Sequence, residues 1–243
     1  MLKPLEYAYW AVAIAEIASE ASGNETLRFF TKPLLMIVLV LFYVKNITGP
    51  RGAFHKLLIA AFIFSWVGDV ALMFVPAGTA PETLMGLPKN PNFFLVGLGG
   101  FLVTHILYAI AFTKVSYPNV KALLPQRFWV AVPLLVYMGA LSSVLLPAIY
   151  GNELTKPFLA PVVVYSTAIA TMVVIAINRY KRVNDKSFAL VFAGALIFMF
   201  SDSIIAINKF LSPVPMAGVF IMVLYIGGQY LIAKGSLAQF NKE

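Results

Sequence analysis

Long apolar segments separated by short polar ones dominate the chain. A helix needs about 20 mostly apolar residues to cross a bilayer, and eight candidate spans follow one another along the sequence. They lie near 5–21, 33–46, 55–76, 92–112, 128–149, 157–178, 187–207 and 215–233. Because these spans leave little room for anything else, we predict one all-α domain over residues 1–243, a polytopic membrane bundle of about eight transmembrane helices.

The first two segments are the weakest. Glu6, Glu16 and Glu20 interrupt the first one, although a glutamate inside the apolar run argues against a cleaved signal peptide. Whether Glu16 faces the bundle stays open at this point. The second segment is short unless Phe29 and Phe30 extend it. The loop at 76–90, after the third segment, is rich in Pro and Gly and is expected to be irregular.

Composition supports a membrane protein and excludes several other classes. Apolar residues make up 60% of the chain and charged ones only 12%, whereas soluble domains have about 45–50% and 25%. The absence of cysteine excludes a disulfide scaffold and thiolate zinc sites, and two histidines make a His-rich metal site improbable. The aromatic content of 14% excludes disorder. We therefore expect a protein without metal or cofactor.

The basic residues predict the orientation. The net charge of +8 is explained by loops kept in the cytoplasm rather than by binding of nucleic acid. Of the 18 Lys and Arg residues, 13 lie at the termini or in even-numbered loops. The other five lie in odd-numbered loops: Arg28, Lys32, Lys89, Lys156 and Lys209. We expect both termini in the cytoplasm, as an even number of spans requires, with the protein in a bacterial inner membrane or its equivalent.

Two aspartates lie inside otherwise apolar spans, Asp69 in the third and Asp202 in the seventh. Charge inside a bilayer is costly, so an intramembrane acid usually marks a functional site. Neither aspartate has Lys or Arg three or four positions away on its own helix. The alternative is a purely structural role, in which each aspartate only hydrogen-bonds a nearby hydroxyl. Ser65 is available to Asp69. For Asp202 the neighbours are Ser201 and Ser203.

The two carboxylates are expected at similar depths. Asp69 comes 16 residues after Ala53, and Asp202 comes 15 residues after Ser187. At about 1.5 Å per residue, each lies roughly 22–24 Å along a helix that runs from inside to outside. Two neighbouring acids in a dry bundle do not both ionise readily, which leaves one acid and one carboxylate for acid–base chemistry.

Other polar residues could complete a site around this pair. His105 and Tyr108, three apart, share one face of the fourth span, although a lone histidine is more often a packing residue. Asn208 and Lys209 follow Asp202 toward the outer surface, and Lys32 opens the second span on that side. The lysines suit an anionic headgroup, but ordinary snorkelling explains either one alone. Gln229 lies at mid-span and could line a cavity.

A weak internal repeat aligns 60–72 with 193–205, with Asp69 over Asp202. Four spans separate the two segments, so the halves of this 4+4 repeat would be parallel. Transporters also use paired halves, so a proton-coupled transporter of a small or lipid-like substrate remains an alternative to an enzyme. A lipid-binding protein without turnover is a third possibility.

The chain also resembles a known family. The residues that carry the resemblance are Lys32-Pro33-Leu34, the Gly68-Asp69 span, His105 with Tyr108, Tyr165, the run from Ser201-Asp202-Ser203 through Ala206-Ile207-Asn208-Lys209-Phe210, and the segment from Tyr225 to Ile232 with Gln229. These features, in spans two to eight, resemble the YhhN family of membrane proteins, which includes the lysoplasmalogenases.

The resemblance implies an enzyme that hydrolyses the vinyl ether bond of a lysoplasmalogen. The products would be a fatty aldehyde and a glycerophospho-ethanolamine or -choline. It implies that Asp69 and Asp202 are catalytic, and we expect Lys32, His105, Tyr108, Tyr165, Asn208, Lys209 and Gln229 at the substrate. The expected partners are the lysophospholipid and membrane lipids. Which aspartate is the acid, and the oligomeric state, do not follow from the sequence.

Overall fold

The computed structural model describes residues 3–48, 52–76 and 82–240 and is almost entirely helical. The helices are α1 (Lys3–Ser22), α2 (Glu25–Lys45), α3 (Ala53–Met73), α4 (Phe93–Phe112), α5 (Leu123–Gln126), α6 (Val132–Tyr150), α7 (Leu159–Ile177), α8 (Asp185–Phe210) and α9 (Ala217–Ala238). Short 3₁₀ segments at Phe128–Ala131 and Lys156–Phe158 precede α6 and α7.

The predicted all-α membrane architecture is confirmed. Within the described residues, seven helices are long and apolar enough to cross a membrane, namely α2, α3, α4, α6, α7, α8 and α9. The first predicted span also forms a helix, the 20-residue α1, but it is not among those seven. The cytoplasmic position of both termini depends on an even number of spans and stays a prediction.

The N-terminal end of α2 differs from the prediction. This helix begins at Glu25, eight residues before the predicted start, and Asn24 caps it by accepting a hydrogen bond from the Leu27 N–H at 2.9 Å. Pro33 therefore lies inside the helix rather than at its start. The Trp66 indole N–H donates to the Pro33 carbonyl at 3.1 Å, which joins α3 to α2.

The loop after α3 was predicted to be irregular, and the described part of it is not. Strands β1 (Thr83–Leu84) and β2 (Leu87–Pro88) pair antiparallel, with Leu84 opposite Leu87. The turn residues Met85 and Gly86 both have positive φ, 52° and 79°, as a tight two-residue hairpin turn requires. Residues 77–81 of the predicted loop lie outside the described part.

The described residues up to Leu107 form one compact unit. In it α1 packs on α2 and α2 packs on α3. Helices α3 and α4 approach closely at Gly68 and Gly100, where a Cβ added to Gly100 would lie 2.9 Å from the Gly68 backbone nitrogen. Small residues at such a contact let two backbones come together.

The described residues from Tyr108 onward form the second unit. Its most extensive contact joins α8 and α9, with α7 packed on α8 and α6 packed on α7 and α8. Gly194 on α8 lies against Gly228 on α9, since a Cβ on Gly194 would come 2.8 Å from the Gly228 carbonyl oxygen. Gly99 and Gly227 make no such contact, because a Cβ added to either would meet no atom of a neighbouring helix within 4 Å.

Candidate functional site

Asp69 lies on α3 in the first unit and is only 2% exposed. Its carboxylate interacts electrostatically with the ammonium of Lys32 on α2. The sequence suggested that Lys32 opens the second span at the membrane surface. That placement is wrong, because α2 begins two turns earlier and buries Lys32 to 6% exposure.

Lys32 belongs to a charged cluster that also contains Glu20 on α1 and Arg28 on α2. One carboxylate oxygen of Glu20, Oε1, lies 2.9 Å from Arg28 Nε and 3.9 Å from Lys32 Nζ. The side chain of Arg28 is 32% exposed, and that of Lys32 is 8% exposed. A buried ammonium is tolerated only beside compensating charge, so Glu20 and Asp69 explain how Lys32 can lie inside.

Glu16 is a second carboxylate of α1 and lies deeper than Glu20. It is fully buried, and its Oε2 accepts a hydrogen bond from the Thr31 hydroxyl at 2.5 Å and one from Ser19 at 3.3 Å. The structure therefore answers the question that the sequence left open, since Glu16 points into the first unit.

Sequence reasoning did not assign Glu16, Glu20 or Arg28 to a site. A signal was nevertheless present in the spacing. Two acids four residues apart on α1 are followed, across a tight connection, by two bases four residues apart on α2. Residues at this spacing lie on one helical face, so two adjacent antiparallel helices can bring such faces together.

Ser65, Thr104 and His105 of the first unit form hydrogen bonds with backbone or with one another. Ser65 donates to the Thr104 hydroxyl at 3.1 Å, and Thr104 donates to the carbonyls of Ala61 and Gly100. His105 is fully buried, and its Nδ1 lies 2.5 Å from the carbonyl oxygen of Phe101 on the same helix. That bond suits the packing role considered for His105 from the sequence.

In the second unit Asp202 lies on α8 and is partly buried. Its Oδ2 accepts a hydrogen bond from the Tyr165 hydroxyl of α7 at 2.5 Å. Ser201 and Ser203, considered as neighbours of Asp202, instead donate to the carbonyls of Ile221 and Met199 at 3.0 and 2.9 Å. The Tyr165 hydroxyl thus helps to fix the direction of this carboxylate.

Two other sets of candidate residues lie elsewhere in the second unit. Tyr108 and Gln229 are both fully buried, and the tyrosine hydroxyl donates to Gln229 Oε1 at 2.5 Å, which links α4 to α9. Asn208 and Lys209 lie exposed at the end of α8. There the Asn208 side chain accepts a hydrogen bond from the Val214 N–H at 2.9 Å and fixes the turn after the helix.

Each aspartate thus has its own electrostatic environment. Asp69 interacts electrostatically with Lys32, and Asp202 accepts a hydrogen bond from a phenol, which helps to orient it. Carboxylates held in this way can serve as acid, base or electrostatic stabiliser.

Comparison with known proteins identifies the family. The model of the YhhN family matches residues 27–236. The chain belongs to the YhhN family. The match begins after α1, so the YhhN region contains Arg28, Lys32 and both aspartates but not Glu16 or Glu20. Membership and the seven apolar helices together make this YhhN protein an integral, multi-pass membrane protein.

Curated relatives of this YhhN protein carry the name lysoplasmalogenase. Lysoplasmalogenase TMEM86B of Homo sapiens is 24% identical over 191 residues, which cover 79% of this chain and 68% of the relative. Lysoplasmalogenase TMEM86A of Bos taurus is 28% identical over 179 residues, 72% of this chain and 63% of the relative. Lysoplasmalogenase TMEM86B of Sus scrofa is 28% identical over 201 residues, which cover 83% of this chain and 70% of the relative. No solved structure matches the chain significantly.

Proposed function

We propose that this protein hydrolyses the vinyl ether bond of lysoplasmalogens, with Asp69 and Asp202 as its catalytic residues. The observation that carries the proposal is that each aspartate lies within an apolar helix and has a defined neighbour, Lys32 for Asp69 and Tyr165 for Asp202. The names of the curated relatives support the substrate class.

The chemistry needs a proton donor and a negative charge. A vinyl ether opens when its β-carbon takes up a proton, which leaves an oxocarbenium ion at the carbon attached to oxygen. Water adds to that carbon and loses a proton, and the hemiacetal collapses to a fatty aldehyde and the glycerol hydroxyl. The net reaction consumes one water and no redox equivalent. Glycoside hydrolases use a pair of carboxyl groups to form and stabilise a similar oxocarbenium-like transition state.

We assign the acid to Asp202 and the stabilising base to Asp69. The ammonium of Lys32 favours negative charge on Asp69, which suits a group that faces the oxocarbenium ion and activates water. Tyr165 fixes one oxygen of Asp202, so that the carboxyl group keeps one direction while it delivers a proton. No metal, nucleotide or thiol enters this scheme.

The remaining candidate residues are proposed to bind substrate. Lys32 and Lys209 suit the phosphate, and Asn208 suits the polar headgroup beside Lys209. Tyr108, Gln229 and His105 are buried polar groups that suit the ether and glycerol oxygens or the attacking water. The alkenyl chain would lie among apolar side chains.

Incubation of the purified protein with a lysoplasmalogen in detergent tests the proposal, with mass spectrometry of the released aldehyde. Asp69→Asn and Asp202→Asn should each lower turnover at least about 100-fold, the low end of general acid–base contributions. Asp185→Asn is the matched control, because it makes the same change at an exposed position of α8. Near-normal turnover in either catalytic variant would remove that residue from the mechanism.

The transporter alternative needs a different readout. Hydrolysis proceeds without a gradient, whereas proton-coupled transport into proteoliposomes collapses when the pH gradient is dissipated. Aldehyde release from wild-type protein in detergent, where no gradient exists, would favour the hydrolase.

A further inference from the structure

The charged cluster at Glu20, Arg28 and Lys32 joins a helix outside the family match to one inside it. Glu20 belongs to α1, and the match begins at residue 27. The same carboxylate oxygen contacts both cations, Arg28 Nε at 2.9 Å and Lys32 Nζ at 3.9 Å. The role of α1 is therefore visible in the contacts of its side chains and not in the family match.

We propose that Glu20 is a positioning residue that holds Arg28 and Lys32 as a pair of cations for the phosphate of a lysophospholipid headgroup. The proposal rests on the proposed function and adds to it a phosphate site that includes Arg28 and depends on α1.

The electrostatics of the cluster require a carboxylate at this position. Arg28 and Lys32 lie four residues apart on one face of α2, where like charges repel each other. The Lys32 side chain is also almost fully buried, so its ammonium loses hydration. Glu20 offsets part of both costs because one of its oxygens lies close to both cations, and Asp69 and Glu16 also interact favourably with Lys32. Without Glu20, we expect the two cations to be held less firmly in their present positions.

Arg28 has the geometry to meet a phosphate. Its Nε pairs with Glu20 Oε1 at 2.9 Å without a hydrogen bond from the Nε–H, and a guanidinium carries N–H donors in a planar fork that fits phosphate oxygens. About a third of the side chain is exposed, 32% against 8% for Lys32. A headgroup can therefore reach Arg28 from outside the unit.

Lys32 connects the proposed phosphate site to the proposed catalytic carboxylate. Arg28 lies about one turn from the start of α2 and Lys32 about two turns, with Lys32 interacting with both Glu20 and Asp69. A phosphate held by Arg28 and Lys32 would therefore bind to a lysine that also interacts with Asp69. Cations that bind the phosphate would thus help to position the vinyl ether bond in the site.

Binding of hydrolysis-resistant analogues tests the inference without any turnover. The probes are a 1-O-alkyl lysophosphatidylethanolamine and the 1-O-alkylglycerol of the same chain length, which lacks the phosphate. The ratio of their dissociation constants measures the phosphate contribution. In wild-type protein we expect the phospholipid to bind at least about tenfold more tightly, as hydrogen bonds to a charged group can provide.

Variants separate positioning from folding. We expect the ratio to fall at least about threefold in Glu20→Gln, to approach one in Lys32→Met, and to be largely kept in Glu20→Asp, which retains the charge. Tyr43→Phe is the matched control. It breaks the hydrogen bond between the Tyr43 hydroxyl of α2 and His55 of α3 and should lower thermal stability without changing the ratio.

Arg28→Met provides a second route if Glu20→Gln does not fold, because Arg28 is closer to the surface. It should also lower the ratio. An unchanged or increased ratio in Glu20→Gln, or in Arg28→Met where only that variant folds, would overturn the proposal. So would equal binding of the two probes by wild-type protein.

Inorganic phosphate added at a few millimolar should not displace the lysophospholipid, since free phosphate lacks the alkyl chain. Displacement would assign the cations to free phosphate and overturn the headgroup assignment. Aldehyde release from a true lysoplasmalogen by wild-type protein is scored separately. A loss of headgroup preference in the variants is thus distinguishable from a failure of the hydrolase proposal.

Discussion

The hydroxyl of Tyr165 donates a hydrogen bond to Oδ2 of Asp202, with 2.5 Å between the two oxygens. This contact joins α7 to α8 and holds a carboxylate that lies in an otherwise apolar helix. Because this donor helps to fix the direction of the carboxylate, its loss should lower the rate of proton transfer from Asp202.

Tyr165→Phe should lower the turnover of lysoplasmalogen about 10- to 100-fold and change KM little. A hydrogen bond to a charged group contributes about 1.5–3 kcal/mol, and about 1.4 kcal/mol in the barrier is a factor of ten in rate. Steady-state kinetics of aldehyde release measures the effect. Tyr137→Phe is the control, since it keeps the ring that packs edge-on against Phe200. Equal effects of the two substitutions would contradict a special role for Tyr165.

The predicted encounter of Asp69 and Asp202 can be tested by cross-linking, because the chain contains no cysteine. Asp69→Cys with Asp202→Cys should react with a short bifunctional thiol reagent to give one internally linked product. Intact mass and protease mapping identify the link.

Asp69→Cys combined with Asp185→Cys is the control pair for this experiment. Asp185 is 17 residues before Asp202 on the same helix, a distance of about 26 Å at 1.5 Å per residue. Linkage in the control pair but not in the test pair would refute the shared site.

Hydropathy predicted the helices because lipid-facing segments must be apolar over a fixed length. It failed at the start of α2, where Arg28 and Lys32 look like a polar boundary. Those charges are accommodated inside the unit because Glu20 on α1 compensates them. Hydropathy averaged over one segment cannot detect an ion pair between that segment and a different helix.

The site was predictable only in part, for a similar reason. An aspartate in an apolar span is conspicuous, so Asp69 and Asp202 stood out. The residues that contact them come from other helices, and Tyr165 entered only through the family resemblance. The hairpin at Thr83–Leu84 and Leu87–Pro88 was missed because strands of two residues are too short to show alternation.

Close packing of α8 and α9 predicts a sharp contrast between two glycines. Gly194→Ala should lower the thermal midpoint in detergent, because its Cβ would lie 2.8 Å from the Gly228 carbonyl oxygen and 2.9 Å from the Ile232 nitrogen. Overpacking of this kind costs about 1–3 kcal/mol. Gly227→Ala meets nothing within 4 Å and should be neutral or stabilise by about 0.5–1 kcal/mol, because alanine favours the helix. Equal shifts in both variants would refute the close contact.

Lys89 follows the hairpin, and its ammonium lies 2.8 Å from Glu25 Oε1 and 3.2 Å from Glu82 Oε2. Burial opposes the charge on this lysine, but the hydrogen bonds and charges of Glu25 and Glu82 outweigh it and raise the pKa of Lys89 above its usual value of 10.5. A pKa that is higher in the folded state means that folding favours the protonated lysine. The resulting stabilisation is complete below the unfolded-state pKa and is lost as the pH rises through the folded-state pKa.

Thermal unfolding in detergent between pH 8 and pH 12 checks this expectation. Above about pH 10.5, the thermal midpoint of wild-type protein should fall more steeply than that of Lys89→Met, which has no charge to lose at this position. Lys156→Met is the control, because Lys156 pairs with Glu153 in an exposed contact, with side chains 42% and 85% exposed, and such pairs contribute little. Its alkaline profile should therefore follow that of wild-type protein. Parallel profiles for wild-type protein and Lys89→Met would show that the contacts of Lys89 do not stabilise the folded state.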